Sequence, residues 1–188
     1  GRLLESLGQL VRDTAPATML MGAILEGYEQ GLDDLGQAPG VELVARSQET
    51  PDTAKTQAAA ALYATDAQTF LAGEALRNEV FGPSTLVVRC ASQEQMLEIA
   101  RSLEGQLTAT IHAADGELEQ HGELVSILQT KAGRLVFGGF PTGVEVCPSM
   151  NHGGPYPATT DVHFTSVGTA AILRFARPIC YQDFPESQ

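Results

Sequence analysis

The sequence predicts an α/β fold: a mostly parallel sheet with helices on both faces. Three observations carry that reading. Between residues 85 and 137, β-rich runs alternate with helical periodicity in the order strand–helix–strand–helix–strand, a rhythm that requires parallel crossovers. The chain has 188 residues, 43% hydrophobic and 18% charged, with a mean hydropathy of −0.03. That is the profile of a folded globular protein large enough to bury a core. No tract is low in complexity and no segment repeats.

The elements follow in order. Leu3, Leu4, Leu7, Leu10 and Val11 recur at helical spacing, so residues 2–13 read as an amphipathic helix closed before Pro16. No capping residue precedes it, so the chain reads as beginning inside a structural element, as a fragment would. Thr18 is read as the cap of a second helix over 19–35, ending at Gly36. Residues 41–46 alternate apolar and polar as a short strand, and 47–55 form a polar surface loop. The run 58–65 suits helix or buried strand, and its closing Tyr-Ala-Thr-Asp favours a strand, followed by a short helix near 67–73.

Residues 85–90 then form a strand, and Ser92 caps a helix to about Leu103, with Gln95 three positions on to complete a capping box. A strand at 107–112, a helix over 116–131 ending at Gly133, and a strand at 134–137 complete the rhythm. Residues 138–169 break it. A loop of that length in a compact domain is usually functional. A helix over 166–175 and a candidate edge strand at 179–184 end the chain.

Composition excludes several classes. Eleven basic against twenty-three acidic side chains leave a net charge of −12, which repels phosphate backbones and anionic lipid, so neither nucleic acid nor a membrane surface is an expected partner. No apolar run reaches the roughly 18 residues of a membrane span, and no signal peptide stands at the start. Three cysteines, Cys90, Cys147 and Cys180, are too few for a disulfide framework, which points to a cytoplasmic protein.

Four features suit chemistry. In Glu79-Val80-Phe81-Gly82-Pro83, ahead of a parallel strand, a carboxylate can accept two hydrogen bonds from a ribose diol beside an aromatic that covers a planar ring. The plain alternative is a loop with a solvated glutamate and a core phenylalanine. Cys147 and His152 share the long loop. They are a possible thiol–imidazole pair, though partners of that kind usually meet in space rather than in sequence. Cys-x4-His offers only two zinc ligands, so no metal site is expected. Cys90, on a strand, reads as a small buried hydrophobe. The glycine-rich stretch 138–154 has neither a dinucleotide fingerprint nor a phosphate-loop lysine.

Asn78-Glu79-Val80-Phe81-Gly82-Pro83 resembles the Glu-x-Phe-Gly-Pro motif of the aldehyde dehydrogenases, and the succession of elements after it is similar to theirs over essentially the whole chain. Ala15-Pro16-Ala17-Thr18-Met19-Leu20, Gly138-Gly139-Phe140-Pro141-Thr142-Gly143-Val144-Glu145-Val146 and His152-Gly153-Gly154-Pro155-Tyr156-Pro157-Ala158-Thr159 look like the NADP-preferring branch that oxidises α-ketoglutarate semialdehyde (2,5-dioxopentanoate).

The resemblance implies that residues 1–178 are the C-terminal part of an aldehyde dehydrogenase catalytic domain, incomplete, and 179–188 an oligomerisation tail. It implies NADP (or NAD) as cofactor, a small aldehyde as substrate, and a homodimer or tetramer. Glu79 would hold the nicotinamide ribose and Phe81 would flank the nicotinamide. Phe140, Val144, Cys147, His152 and Tyr156 would wall the aldehyde tunnel. The family's nucleophilic cysteine and general base lie upstream of the motif, so no catalytic residue is expected here and the chain alone should be inactive. The alternatives are a non-catalytic module for self-association or small-molecule binding on the same scaffold and, by fold analogy only, a reductase acting on acyl-phosphates or acyl-CoA.

Overall fold

The computed structural model describes residues 1–141 and 143–185; Thr142, from the glycine-rich motif, and 186–188, from the expected tail, lie outside the described residues. The chain divides into two compact units, Gly1–Ile99 and the part from Ala100 onward.

In the first unit, helix α1 (Arg2–Asp13) lays Gly8 against Val44 and Ala45 of strand β2 (Glu42–Arg46). β2 pairs antiparallel with β4 (Ala61–Asp66), with an irregularity between Leu43 and Ala45. β4 pairs parallel with β5 (Ser84–Arg89), from Ala61 opposite Ser84 to Asp66 opposite Arg89. As the central strand β4 is covered on both faces, and Ala61 through Thr65 are all buried. This explains why the run reads as continuous rather than alternating apolar.

Helix α2 (Gly22–Gln37) buries Tyr28, Leu32 and Leu35. The buried hydroxyl of Tyr28 donates to the Ala59 carbonyl at 2.7 Å, and that of Tyr63 donates to the Leu32 carbonyl at 3.1 Å. Strands β1 (Ala17–Thr18) and β3 (Gln57–Ala58) form a separate antiparallel pair. Thr18 is therefore not the cap of α2. Its backbone is extended to meet Gln57, and the helix starts a turn later behind Met21. Helix α3 (Ala67–Ala72) is capped by Asp66, whose carboxylate accepts from the Thr69 N–H at 2.8 Å.

Helix α4 (Gln93–Ser102) runs across the boundary of the two units. Its capping box is formed: Ser92 Oγ accepts from the Gln95 N–H at 3.3 Å, and the Gln95 side chain returns to the Ala91 N–H at 2.8 Å. In the second unit, β6 (Gln106–Ile111) and β7 (Ala132–Phe137) are parallel neighbours joined by helix α5 (Gly122–Lys131), which buries Leu124 and Leu128. Both parallel ladders thus close over helical crossovers, in an α/β arrangement. The expected helix over 116–131 is a 3-10 turn at Leu118–His121 followed by α5, and β7 begins directly at Ala132.

Gly133 is strand rather than helix terminator because a second chain segment lies against it. A Cβ there would fall on the Gly153 carbonyl oxygen. One on Gly154 would fall on the Gln106 carbonyl oxygen, and one on Gly105 on the Pro155 carbonyl. The Gly105 N–H donates to the Tyr156 carbonyl at 3.2 Å, and the Asn151 side chain donates to the Gly133 carbonyl at 3.1 Å. The paired glycines of His152-Gly153-Gly154 are thus the cost of laying backbone on backbone.

The described residues of the 138–168 stretch carry no regular element beyond turns, and a 3-10 helix at Thr169–Phe175 replaces the expected α-helix. Residues 179–184 do not form the expected edge strand. Among the described residues no strand pairs with them, and Tyr181 instead packs edge-on to Phe184, with ring centroids 5.0 Å apart.

Candidate functional site

The Glu-x-Phe-Gly-Pro segment is pinned at its glycine–proline end. The Pro83 carbonyl accepts from the Ala61 N–H at 3.0 Å and from the Tyr28 hydroxyl at 3.3 Å, and the Ser84 N–H donates to the Gly82 carbonyl at 2.8 Å. Gly82 lies so close to the Tyr28 ring that a Cβ would overlap it. Val80 fits over Gly31 of α2, where a Cβ would meet its methyl group at 2.8 Å. These contacts hold the backbone around Glu79 and Phe81 in place.

Both residues line an open cavity of about 700 Å³ that Thr18, Met19, Leu20 and Ile24 also line. Phe81 is 65% exposed. Glu79 is exposed, and among the described residues its carboxylate makes no hydrogen bond or ion pair. An unengaged carboxylate beside an uncovered aromatic can accept a diol and flank a flat ring at once. The wall at 18–20 was not legible as part of a site. It is held by the Met19 N–H donating to the Thr56 carbonyl (2.9 Å) and by the Thr56 hydroxyl donating to the Met19 carbonyl (3.1 Å), long-range contacts without a local sequence signal.

In the second unit a cavity of about 300 Å³ is lined by Leu107, Thr108, Arg134, Pro141, Gly143, Val144 and His152. Val144 and His152 are thereby brought together, whereas Phe140, Cys147 and Tyr156 lie outside its lining. Phe140 packs on His112 with centroids 5.2 Å apart. Tyr156 is exposed, and its carbonyl is the part engaged, with Gly105. The Cys147 thiol lies 3.4 Å from the Ser149 hydroxyl and, among the described residues, makes no hydrogen bond to His152. A thiol–imidazole pair is not formed. The backbone of His152 is fixed, its N–H donating to Thr165 Oγ1 at 2.8 Å and its carbonyl accepting from the N–H and hydroxyl of Ser166 at 3.1 and 2.9 Å.

Cys90 and Cys180 are exposed rather than buried. Partial burial still pushes the Cys90 thiol up, which disfavours the thiolate. Among the described residues no group of three His, Cys, Asp or Glu side chains is placed to hold a metal, and no helix is long and apolar enough to cross a membrane.

The chain is similar in fold to a segment of the aldehyde dehydrogenases. The Δ-pyrroline-5-carboxylate dehydrogenase of Mycobacterium tuberculosis, also crystallised with NAD, superposes over 92% of this chain and 32% of its own, with a TM-score of 0.71 and 17% identity. No family model matches the chain. In sequence it is similar to alpha-ketoglutaric semialdehyde dehydrogenase 2 of Azospirillum brasilense, 46% identical over 89% of this chain and 32% of that protein. It is likewise similar to the alpha-ketoglutaric semialdehyde dehydrogenase of Acinetobacter baylyi, 43% identical over 97% of this chain and 34% of that protein. The chain spans about a third of the length of the curated relatives it matches.

Proposed function

We propose that this chain contributes the nicotinamide-side wall and a substrate loop to an NAD(P)-dependent aldehyde dehydrogenase that oxidises α-ketoglutarate semialdehyde to the dicarboxylic acid. The observation that supports it best is the unengaged Glu79 carboxylate beside the uncovered Phe81 ring on one cavity, in a chain 46% identical to a dehydrogenase of that name. The cofactor, NADP or NAD, supplies a hydride acceptor when bound. Glu79 accepts hydrogen bonds from the ribose hydroxyls, and Phe81 covers one edge of the nicotinamide. The loop that carries Phe140, Val144, Cys147, His152 and Tyr156 surrounds the aldehyde chain.

None of the three thiols serves as nucleophile in this reading, because among the described residues none is hydrogen-bonded to a base. The chain's work is binding and orientation. The protein is cytoplasmic and assembles as a homodimer or a dimer of dimers, with the segment from 179 onward as its oligomerisation tail.

The experiment is reduced-cofactor formation with the semialdehyde. The 188-residue chain alone should give none, while the complete enzyme that contains it turns over. In that enzyme Glu79→Gln should lower kcat/KM for NADP by about 10- to 100-fold, the equivalent of one charge-assisted hydrogen bond. Part of the loss should fall on kcat, since the ribose positions the hydride acceptor. A Glu79→Gln enzyme equal to wild type in both parameters would falsify the ribose role.

A further inference from the structure

Among the described residues, Arg134 stands apart from the other cations of this acidic chain in having a buried guanidinium nitrogen without a hydrogen-bond partner. Arg46 pairs with Glu29, Lys55 with Asp52 and Arg101 with Glu123, each on the surface. Arg134, half-buried on β7, has no acidic partner among the described residues. Its Nη1 donates to the Gly143 carbonyl at 3.0 Å and reaches Met150 Sδ at 3.8 Å, which fixes the plane of the guanidinium. Its Nε is buried and makes no hydrogen bond. The same is true of His152 Nδ1, on the same 300 Å³ cavity, and the backbone of His152 is anchored on both sides. A buried guanidinium N–H left without an acceptor is destabilising unless something else supplies one.

We infer that Arg134 and His152 form a carboxylate-binding subsite in the second unit, specific for the acid end of a short-chain oxo acid. The guanidinium edge offers a fork matched to the two oxygens of a carboxylate, and the imidazole nitrogen supplies a second polar contact. Leu107, Pro141 and Val144 add apolar wall beside Thr108 and Gly143, which suits the methylenes of a chain of about five carbons. The identity of that acid rests on the proposed dehydrogenase reading: it is the carboxylate of the semialdehyde, at the end remote from the reacting carbonyl. Arg134 is then a specificity-determining residue and not a catalytic one.

Two measurements test this. Calorimetric titration of the full chain with 2-oxoglutarate should show saturable binding, accompanied by a shift of the His152 imidazole resonances. The dimethyl ester of the same acid should bind at least about 10-fold more weakly, and Arg134→Met should weaken the acid by about 10- to 100-fold, with Arg134→Lys between the two. In the complete enzyme Arg134→Met should raise KM for the semialdehyde by a similar factor, change kcat little, and leave kcat/KM for the uncharged pentanal within about threefold. No binding of 2-oxoglutarate by the wild-type chain, or equal binding of acid and ester, overturns the subsite even where Arg134→Met does not fold. Carboxylate binding as expected in a protein that oxidises no aldehyde leaves the subsite standing and removes the dehydrogenase reading. Aldehyde oxidation with Arg134→Met equally impaired on pentanal and semialdehyde does the reverse.

Discussion

Tyr28 holds its proton harder than an ordinary tyrosine. Burial comes first among the causes, the nearby Glu29 carboxylate second, and together they push its pKa from 10.0 up to about 12. A raised pKa means the unfolded chain releases this proton before the folded one does. The stability it reflects is whole below pH 10 and is lost as pH rises from there towards 12. Tyr63, raised mainly by burial as well, acts in the same direction. The melting temperature should therefore fall over that interval, and the double variant Tyr28→Phe, Tyr63→Phe should flatten the decline. At neutral pH, Tyr28→Phe alone should cost about 1–3 kcal/mol, because the buried Ala59 carbonyl loses its donor. Gly82→Ala should cost a similar 1–3 kcal/mol through overlap with the Tyr28 ring, and should also move Glu79 and Phe81. Thermal denaturation of both variants checks these values. Glu79 and Phe81 stand out in the sequence because a short motif names them. Tyr28 and Arg134 do not, since what distinguishes them is a missing or distant partner, and sequence spacing does not encode that.

Elements were legible where local chemistry agrees with tertiary packing. The parallel strands β5–β7 and the capped helix α4 read directly from β-rich runs, crossover spacing and the Ser92–Gln95 box. The reading failed where a long-range contact overrides a local signal. Thr18 has the chemistry of a cap, yet pairing with Gln57 extends it, and Gly133 has the chemistry of a helix end, yet the 153–156 segment claims it as close-approach strand. Gly154→Ala should accordingly unsettle that segment more than its position in a loop suggests, by roughly 1–3 kcal/mol or more, visible as a drop in melting temperature. Asp66 offers a cleaner test of a single element. Hydrogen bonds from Thr69, its backbone N–H foremost, hold the carboxyl below its usual 3.8. A depressed pKa contributes stability that is present above the unfolded value and lost as pH falls through the folded one. Asp66→Asn should lower the melting temperature at pH 7 and leave the difference from wild type smaller near pH 3.

At the scale of the whole molecule, the charge of −12 and the apolar surface act in opposite directions. Net negative charge keeps copies apart in dilute salt, and screening at higher ionic strength weakens that repulsion. What then remains is the apolar side chains held in water near the end of the chain: Ile179 is 60% exposed, Tyr181 64% and Phe184 55%, after a 3-10 turn that leaves Ile172, Leu173 and Phe175 exposed as well. Six large side chains within thirteen consecutive residues exceed the scattered exposure normal for a monomer, and such a run tends to be covered by another surface. Residues 179–184 have no strand partner among the described residues, so their backbone groups are open to pairing as well. The full chain should therefore self-associate, and more so in 0.5 M than in 0.05 M salt (about 4 and 14 Å of screening length). Light scattering should show this association fall on truncation after Pro178, and fall further in a Leu173→Asp, Phe175→Asp variant that keeps the tail. A chain monomeric at both salt concentrations, or an assembly untouched by both changes, would show that this surface drives no assembly.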